Sequence, residues 1–570
     1  MFVDNQLLHL DSALQNTAEV HLVKSIYLDI VPQDAESRKE TDPTGYTILG
    51  YNVFSSEFFR AVLRHSRYDR IFVPSSPKPS GGDMRDSAVY ENNRGRIDVV
   101  TEQQIANMKV AGDCGPSVFM TRGTDLAAMA RLRRIGGCSR APIVGAIHSI
   151  NYSWQLRAVM MLLVARLNSF DALVCSSSAG HTAMLRFIDL LTKRLKICDL
   201  PALPAEFKMP IIPLGVDTDR FEKFGQGEIR KQLSLSSGPI LLYFGRFSPT
   251  SKADLLPLIA AFQQVVRKTP DATLLLAGDD THHHMSGQLQ KLATFLDITD
   301  NVRVIANPDL SMKRRLFGEA DIFVSPSDSL QETFGITLIE AMAAGLPCVV
   351  SDWNGYKDIV SDGETGFLIP TTIPIYPSSF DDLRGSGAMV NVDLLAATTI
   401  VDWPTFINRV CTLLSDVDLR KRMGIAARNK AKLRYDWSVV IKDHEALWDE
   451  LIDEAARRNG VNENKTLDLD SFGYREIFSH YSTDELSDDR VVSTTSVTGS
   501  PELPFSMLRD TLPWFQEDVF LAIDAIIKKT GTTTIGEILR DLGKGGELEE
   551  ISHIAHLSRM IKYGLLKFGD

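Results

Sequence analysis

Six cysteines are scattered over 570 residues, at positions 114, 138, 175, 198, 348 and 411, and the nearest two are 23 residues apart. That spacing leaves no C-x-x-C pair for zinc or dithiol chemistry. So few cysteines in so long a chain also exclude a disulfide framework. Long apolar runs are missing: Ala158–Ala165 falls well short of the ~20 residues a membrane-spanning helix needs. The opening residues, MFVDNQLLHLDSALQ, show no basic start, apolar core or cleavage site. Positive charge is in deficit, with 61 Lys and Arg against 73 Asp and Glu and a formal charge of −12. A general nucleic-acid binder needs a basic face that this balance does not provide. No repeat of solenoid period is visible. These absences give the expectation of a cytoplasmic protein in a reducing setting.

What is present is apolar substance for large cores, at 44% hydrophobic residues, and a length that predicts about three or four domains. Short apolar runs alternate with longer helical patterns. In the first half the predicted strands are Ser25–Leu28, Arg70–Val73, Ile97–Val100, Val118–Met120, Ile143–Ala146, Ala172–Cys175 and Pro210–Ile212. Helices are predicted between them, among them Ser55–His65, Asp125–Arg134 and Trp154–Asn168. A second series begins at Pro239–Phe244 and continues with Thr273–Ala277, Val302–Ile305, Ile322–Val324, Pro347–Val350 and Phe367–Ile369. The strands are apolar throughout, as befits sheets covered by helices on both faces. Alternation of this kind predicts an α/β fold of two facing, doubly wound, Rossmann-like domains. The expected divisions are an N-terminal Rossmann-like domain over 1–221 and a second over 222–435. A closing helix over 436–459, a linker over 460–502 and a mainly helical, winged-helix-like module over 503–570 follow. From Pro501 onward 8 Lys and Arg face 11 Asp and Glu, so the module is read as a docking or regulatory element for a protein partner, not a DNA reader.

Chemistry concentrates in PSDSLQETFGITLIEAMAAGLPCVVSD, Pro326 to Asp352. A strand leads into a polar loop containing Glu332, then into a helix predicted from about Gly335 to Ala344. Gly345 suits the left-handed position that ends a helix, and Pro347 prevents continuation. The helix therefore starts at the carboxyl end of a parallel strand, where the free N–H groups of Phe334, Gly335 and Ile336 make an anion site. Glu332 and Glu340 bracket it. Eight residues of helical rise separate them by roughly 12 Å, too far for a glycosidase pair, which spans at most about 9.5 Å. The spacing suits a ligand with hydroxyls at both ends and a diphosphate between them. Upstream, Arg246 follows Gly245 at the end of an apolar strand and Lys252 stands at the start of the next helical stretch. Two cations in that place can neutralise a departing diphosphate without a metal.

FGRFSPTSKADLLPLIAAF, ATLLLAGDD, IIPLGVDTDRF and the segment through DWNGYKDIVSDGETGFLIP together resemble the family 4 glycosyltransferases, retaining GT-B enzymes that use nucleotide-sugars. The resemblance is strong over about 211–448, weaker over 45–211, and does not reach 460–570. It implies that 1–221 is the acceptor domain and 222–435 the donor domain, that Arg246 and Lys252 hold the donor phosphates and that Glu332 contacts the donor sugar. Phe334 and Gly335 would offer backbone amides, and Glu340 would bind the ribose. His148, at the end of an N-domain strand, would lie near the reacting carbon. Gly50 would belong to an early loop approaching the phosphate, with Gly245 in the donor site. Two positions depart from the family pattern: the early loop has one Gly where a pair is frequent, and Ala253 replaces a usual Gly. The polar insert Ser75–Arg96 is read as a loop.

Other features are set aside. The D-x-D triplets at Asp217–Asp219 and Asp468–Asp470 follow no strand of a nucleotide-binding unit, so no metal is expected. His282, His283 and His284 are consecutive and cannot converge on one ion. The basic amphipathic stretch Arg186–Ile197 is read as a core-facing helix with a solvated face in preference to a membrane contact. The expectation is thus a metal-independent glycosyltransferase with no cofactor beyond its nucleotide-sugar co-substrate. The acceptor stays open among polysaccharide, lipid, small molecule, peptide and protein, with the C-terminal module favouring a protein or peptide slightly. The alternatives are a nucleotide-sugar epimerase or hydrolase on the same scaffold, or a catalytically silent nucleotide-sugar sensor.

Overall fold

A computed structural model describes residues 24–29, 50–75, 88–110, 116–121, 123–148, 150, 153–165, 167–197, 206–221, 227–330, 332–374, 395–458, 486–494, 516–543, 547–562 and 565–569. The chain divides into two compact units, Met1–Leu467 and Asp468–Asp570.

The first half of the larger unit runs β1 (Ser25–Asp29), α1 (Gly50–His65), β2 (Arg70–Pro74), α2 (Ala88–Glu91), β3 (Ile97–Val100) and α3 (Glu102–Val110). It continues with β4 (Val118–Thr121), α4 (Leu126–Ile135), β5 (Ile143–Ile147), α5 (Ser153–Val164), β6 (Ala172–Cys175) and α6 (Ser178–Ile197). The second half runs α7 (Glu228–Gln232), β7 (Ile240–Phe244), α8 (Leu256–Val266), β8 (Thr273–Gly278), α9 (Ser286–Phe295) and β9 (Val302–Ala306). Then come α10 (Leu310–Glu319), β10 (Ile322–Ser325), α11 (Ile336–Ala343), β11 (Cys348–Ser351), α12 (Tyr356–Ile359) and β12 (Gly366–Ile369). A two-residue ribbon, β13 (Thr371–Thr372) with β14 (Ile400–Val401), precedes α13 (Trp403–Ser415), α14 (Val417–Arg434) and α15 (Trp437–Arg457).

Each half holds one six-stranded sheet, ordered β3-β2-β1-β4-β5-β6 and β12-β11-β10-β7-β8-β9, with every recorded pairing parallel. Counted within its own half, each sheet reads 3-2-1-4-5-6. The order reverses direction between β1 and β4, and again between β7 and β10, which is where open α/β sheets take their ligands. Buried strands such as β8 and β10 carry no solvent-facing residue, because helices cover both faces.

Two deviations from the sequence reading concern strands. Pro210–Ile212 does not extend as a strand. It makes isolated parallel bridges beside β6, Ala172 with Lys208 and Cys175 with Ile211. Pro210 has no N–H to offer and can only accept, from Cys175. The second deviation is within 460–502. Residues 486–494 belong to the small unit, where β15 (Val491–Thr494) is the central strand of three, between β16 (Thr532–Thr534) and β17 (Leu566–Phe568). Its Ser and Thr neighbours disguise a buried Val492. The unit is completed by α16 (Glu517–Thr530), α17 (Ile535–Leu542) and α18 (Glu547–Lys562) around a core of Val492, Ile523, Ile527, Ile538 and Leu557. Thr534 and Glu537 form a reciprocal capping box at the start of α17.

The crossover between halves is tightly built. Val216 donates to Tyr435 (2.8 Å) and accepts from Trp437 (3.1 Å), so the outgoing and returning chains run side by side. A Cβ on Gly215 would lie 2.3 Å from the Trp437 ring, which is why glycine is required there. Helix α15 then packs onto the first half, with Trp448 against Tyr68 at 5.2 Å between ring centres.

Candidate active site

The loops after β7 and β10 meet at the switch point of the second sheet. Phe244 ends β7, and Gly245 and Arg246 follow. A Cβ on Gly245 would stand 2.8 Å from the Tyr243 hydroxyl and 3.2 Å from Lys252 Cε, so only glycine admits both neighbours. The Tyr243 hydroxyl donates to the Arg246 carbonyl (3.2 Å) and fixes the turn. Arg246 itself is half-buried, and its guanidinium has no ion-pair partner among the described residues. Lys252 lies in the turn before α8, not at the first residue of that helix. Its carbonyl accepts from Ser327 Oγ (2.9 Å), tying this turn to the β10–α11 loop.

Across the gap Glu332 forms an ion pair with Lys252, and both are largely buried, at 12% and 15% exposure. The two residues are 80 apart in sequence. Thr333 and Phe334 follow, and Gly335, with φ +127°, caps α11. A side chain on Gly335 would meet the Tyr356 ring at 2.6 Å. The Tyr356 hydroxyl in turn bonds Ser325 (2.8 Å) at the end of β10. Phe334 turns its ring away to pack against Tyr435, leaving only its backbone at the helix start. The N–H groups at 334–336 are the unpaired donors that any helix N-terminus leaves.

Glu340 lies within α11 and is buried. One oxygen accepts from Lys313 of α10 (2.6 Å), while Oε2 is buried without a hydrogen-bond partner. Lys313 also stands over the Phe244 ring, 5.1 Å from its centre. Asp328, in the same loop as Glu332, has its carboxyl pushed up to about 7, mainly by burial. Burial likewise pushes the Tyr243 and Tyr356 phenols well above their ordinary value, reinforced by the nearby Glu332 charge.

The first half reaches the same place. His148 follows β5, and its carbonyl accepts from the Thr333 hydroxyl. Ser177, just after β6, donates to the Thr333 carbonyl (2.7 Å). Ser178, the first residue of α6, hydrogen-bonds the Asp358 carboxylate of α12 through its backbone N–H and its hydroxyl, both at 2.5 Å.

The structure therefore brings Gly245, Arg246, Lys252, Glu332, Phe334 and Gly335 together beyond the carboxyl ends of β7 and β10, with His148 beside Thr333 and Glu340 on the helix that starts there. Gly50 is the first residue of α1, and the loop before it lies outside the described residues. Residues 76–87 of the polar insert and the triplet at 468–470 also lie outside them. Asp217 is engaged with Arg64 (2.8 Å) and Arg220 (3.0 Å) at the crossover. His282, His283 and His284 are exposed, with His283 Nε2 3.0 Å from Ser248 Oγ. In α6, Arg186, Lys193, Arg194 and Lys196 are exposed together with Leu185 and Leu190, while Met184 and Leu191 face the core. Sequence reasoning missed Lys313, Thr333 and Ser177. Lys313 sits in a Lys-Arg-Arg run that reads as solvated surface, and the hydroxyls carry no motif.

Comparison with known proteins accords with this frame. Residues 225–374 match the family model described as glycosyl transferases group 1. A phosphatidyl-myo-inositol mannosyltransferase of Mycobacterium tuberculosis is 33% identical over 231 residues, covering 40% of this chain and 50% of that protein. A GDP-mannose-dependent alpha-(1-6)-phosphatidylinositol monomannoside mannosyltransferase of Mycolicibacterium smegmatis is 25% identical over 331 residues, 56% of this chain and 73% of that one. The chain spans about half the length of the first of these relatives. Among solved structures, Anabaena HepE in complex with UDP superposes with a TM-score of 0.50 at 18% identity, covering 75% of this chain and all of that one. Residues 225–374 thus carry a glycosyl transferase group 1 sequence, within a chain of GT-B architecture. Among the described residues, no helix is long and apolar enough to cross a membrane, and no cluster of His, Cys, Asp and Glu is arranged to hold a metal ion.

Proposed function

We propose that the chain is a retaining glycosyltransferase that moves a sugar from a nucleotide-sugar donor to an acceptor hydroxyl, without a metal ion. The observation that supports this most is the convergence of Arg246, Lys252 and the amides at the start of α11 on the switch point, with Glu332 against Lys252. In this reading the diphosphate lies on Arg246, Lys252 and the amides of Phe334 and Gly335. Lysine has three donors, so Lys252 can keep Glu332 and still reach a phosphate oxygen. Glu332 then accepts from the sugar hydroxyls and Glu340 from the ribose. The bond from the sugar carbon to the diphosphate oxygen breaks, and the positive groups stabilise the charge that develops on the leaving oxygen. The acceptor hydroxyl enters from the first half, past His148, on the leaving-group face. It forms the new bond, and its proton passes to the departing diphosphate.

The mannosyltransferases among the relatives make a mannose nucleotide the first donor to test. The assay is release of nucleoside diphosphate from GDP-mannose and a panel of UDP-, GDP- and ADP-sugars in EDTA-containing buffer. One donor should be turned over, and Glu332→Ala should lower the rate at least ~100-fold, in the range of a lost charge-stabilising contact, with an unchanged thermal transition. Full activity in that variant removes Glu332 from the mechanism. Failure of the wild-type chain to bind or cleave any donor of the panel overturns the reading.

A further inference from the structure

The buried pair between α10 and α11 has a feature that simple ion pairing does not explain. Glu340 gives only one oxygen to Lys313, at 2.6 Å; its Oε2 is buried and has no hydrogen-bond partner. Leaving a carboxylate oxygen buried and unpaired is costly, so such an atom points to a ligand donor. Lys313 is held with equal care. Its backbone N–H bonds the Asp309 carbonyl at 2.9 Å in the first turn of α10, and Asp309 caps that helix by accepting from Met312 at 2.6 Å. The ammonium also rests over the Phe244 ring, 5.1 Å from its centre. Phe244 ends the strand that delivers Arg246, and it packs in turn on Phe317 of α10, 5.4 Å away. One lysine thus joins the strand before Arg246 to the helix that carries Glu340.

Resting on the function proposed above, we infer that Lys313 is a positioning residue for the nucleoside. It occupies one Glu340 oxygen, holds the carboxylate in one orientation, and aims the other oxygen at a ribose hydroxyl. The sequence hides this role, because the pair is 27 residues apart and on different helices.

The test measures binding of UDP, GDP and ADP by calorimetry to the full-length wild type, Lys313→Met and Lys313→Arg, and then of the 2′,3′-dideoxy form of whichever nucleotide binds. Removing the ribose hydroxyls should weaken wild-type binding about tenfold or more, the scale of a hydrogen bond to a charged group. In Lys313→Met the ribonucleotide should weaken by a similar factor, while the dideoxy form binds as in wild type. Lys313→Arg, which keeps charge and donors, should recover most of the discrimination and keeps the test open if the Met variant does not fold. Equal weakening of both nucleotide forms in Lys313→Met overturns the inference while leaving the proposed function standing, since that is what a merely structural pair produces. Absence of any nucleotide binding to the wild type overturns both.

Discussion

At the scale of single residues, His444 makes the sharpest claim about stability. It is buried on α15 between Phe58, 5.1 Å away, and Trp448, 5.8 Å away, and its Nδ1 has no hydrogen-bond partner. Burial pushes its imidazole down to about 3, from an ordinary 6.5. The unfolded chain therefore binds a proton that the folded chain refuses between those values. The contribution is complete above pH 6.5 and is lost as the pH falls toward 3, at up to ~1.4 kcal/mol per pH unit. Urea unfolding at pH 7.5 and pH 5 should show wild-type stability falling on acidification, and His444→Phe should fall by less. Equal losses in both proteins would show that other groups govern the acid limb. Residues at strand ends were legible in the sequence: Arg246 and Glu332 stand out because each follows an apolar run that must be a buried strand. Which side chains meet was not. Contacts such as Lys252–Glu332 and Lys313–Glu340 arise only when the sheet brings distant loops to one edge.

At the scale of elements, the strand-to-helix connection at β10–α11 is the most constrained piece of the site. Gly335 has φ +127° and no room for a Cβ beside Tyr356, which is itself fixed by Ser325. Gly335→Ala forces either the helix start or the tyrosine to move. It should cost about 1–3 kcal/mol, the range of local backbone strain, and should weaken nucleotide binding as well, because the amides at 334–336 shift with it. Calorimetric melting together with a nucleotide titration checks both. A variant with wild-type affinity would show that the amides do not hold the phosphate. Most elements could be read from the sequence because uninterrupted apolar runs of strand length have few other uses in an α/β chain. The exceptions have physical causes. Pro210 breaks a ladder that its apolar neighbours would extend, and β15 conceals one buried valine among residues typical of linkers. A buried pair, Arg133 with Asp171 at 2.7 Å, joins α4 to the start of β6 and is invisible in the sequence, where each residue alone looks like surface charge.

At the scale of the whole molecule, the two units have separate cores. The smaller one closes its own sheet with β15 between strands from far later in the chain, and it buries Ile523, Ile527, Ile538 and Leu557 together. A fragment of residues 486–570 should therefore fold alone, with a helical circular-dichroism spectrum and a cooperative melting transition. Residues 1–467 should retain nucleotide binding without it. A fragment that melts without a transition, or a truncated chain that no longer binds nucleotide, would show that the boundary is wrong. Within the larger unit one feature reaches beyond the architecture. Thr333 is held from both sides by the first half, its hydroxyl by the His148 carbonyl and its carbonyl by the Ser177 hydroxyl, and it is the neighbour of Glu332. The two lobes cannot part without tugging on the residue beside the proposed sugar ligand. Under the proposed function, product escape and loosening of the sugar grip would then be a single event, with a spent nucleotide leaving through the same movement that unmakes the place where its sugar was held.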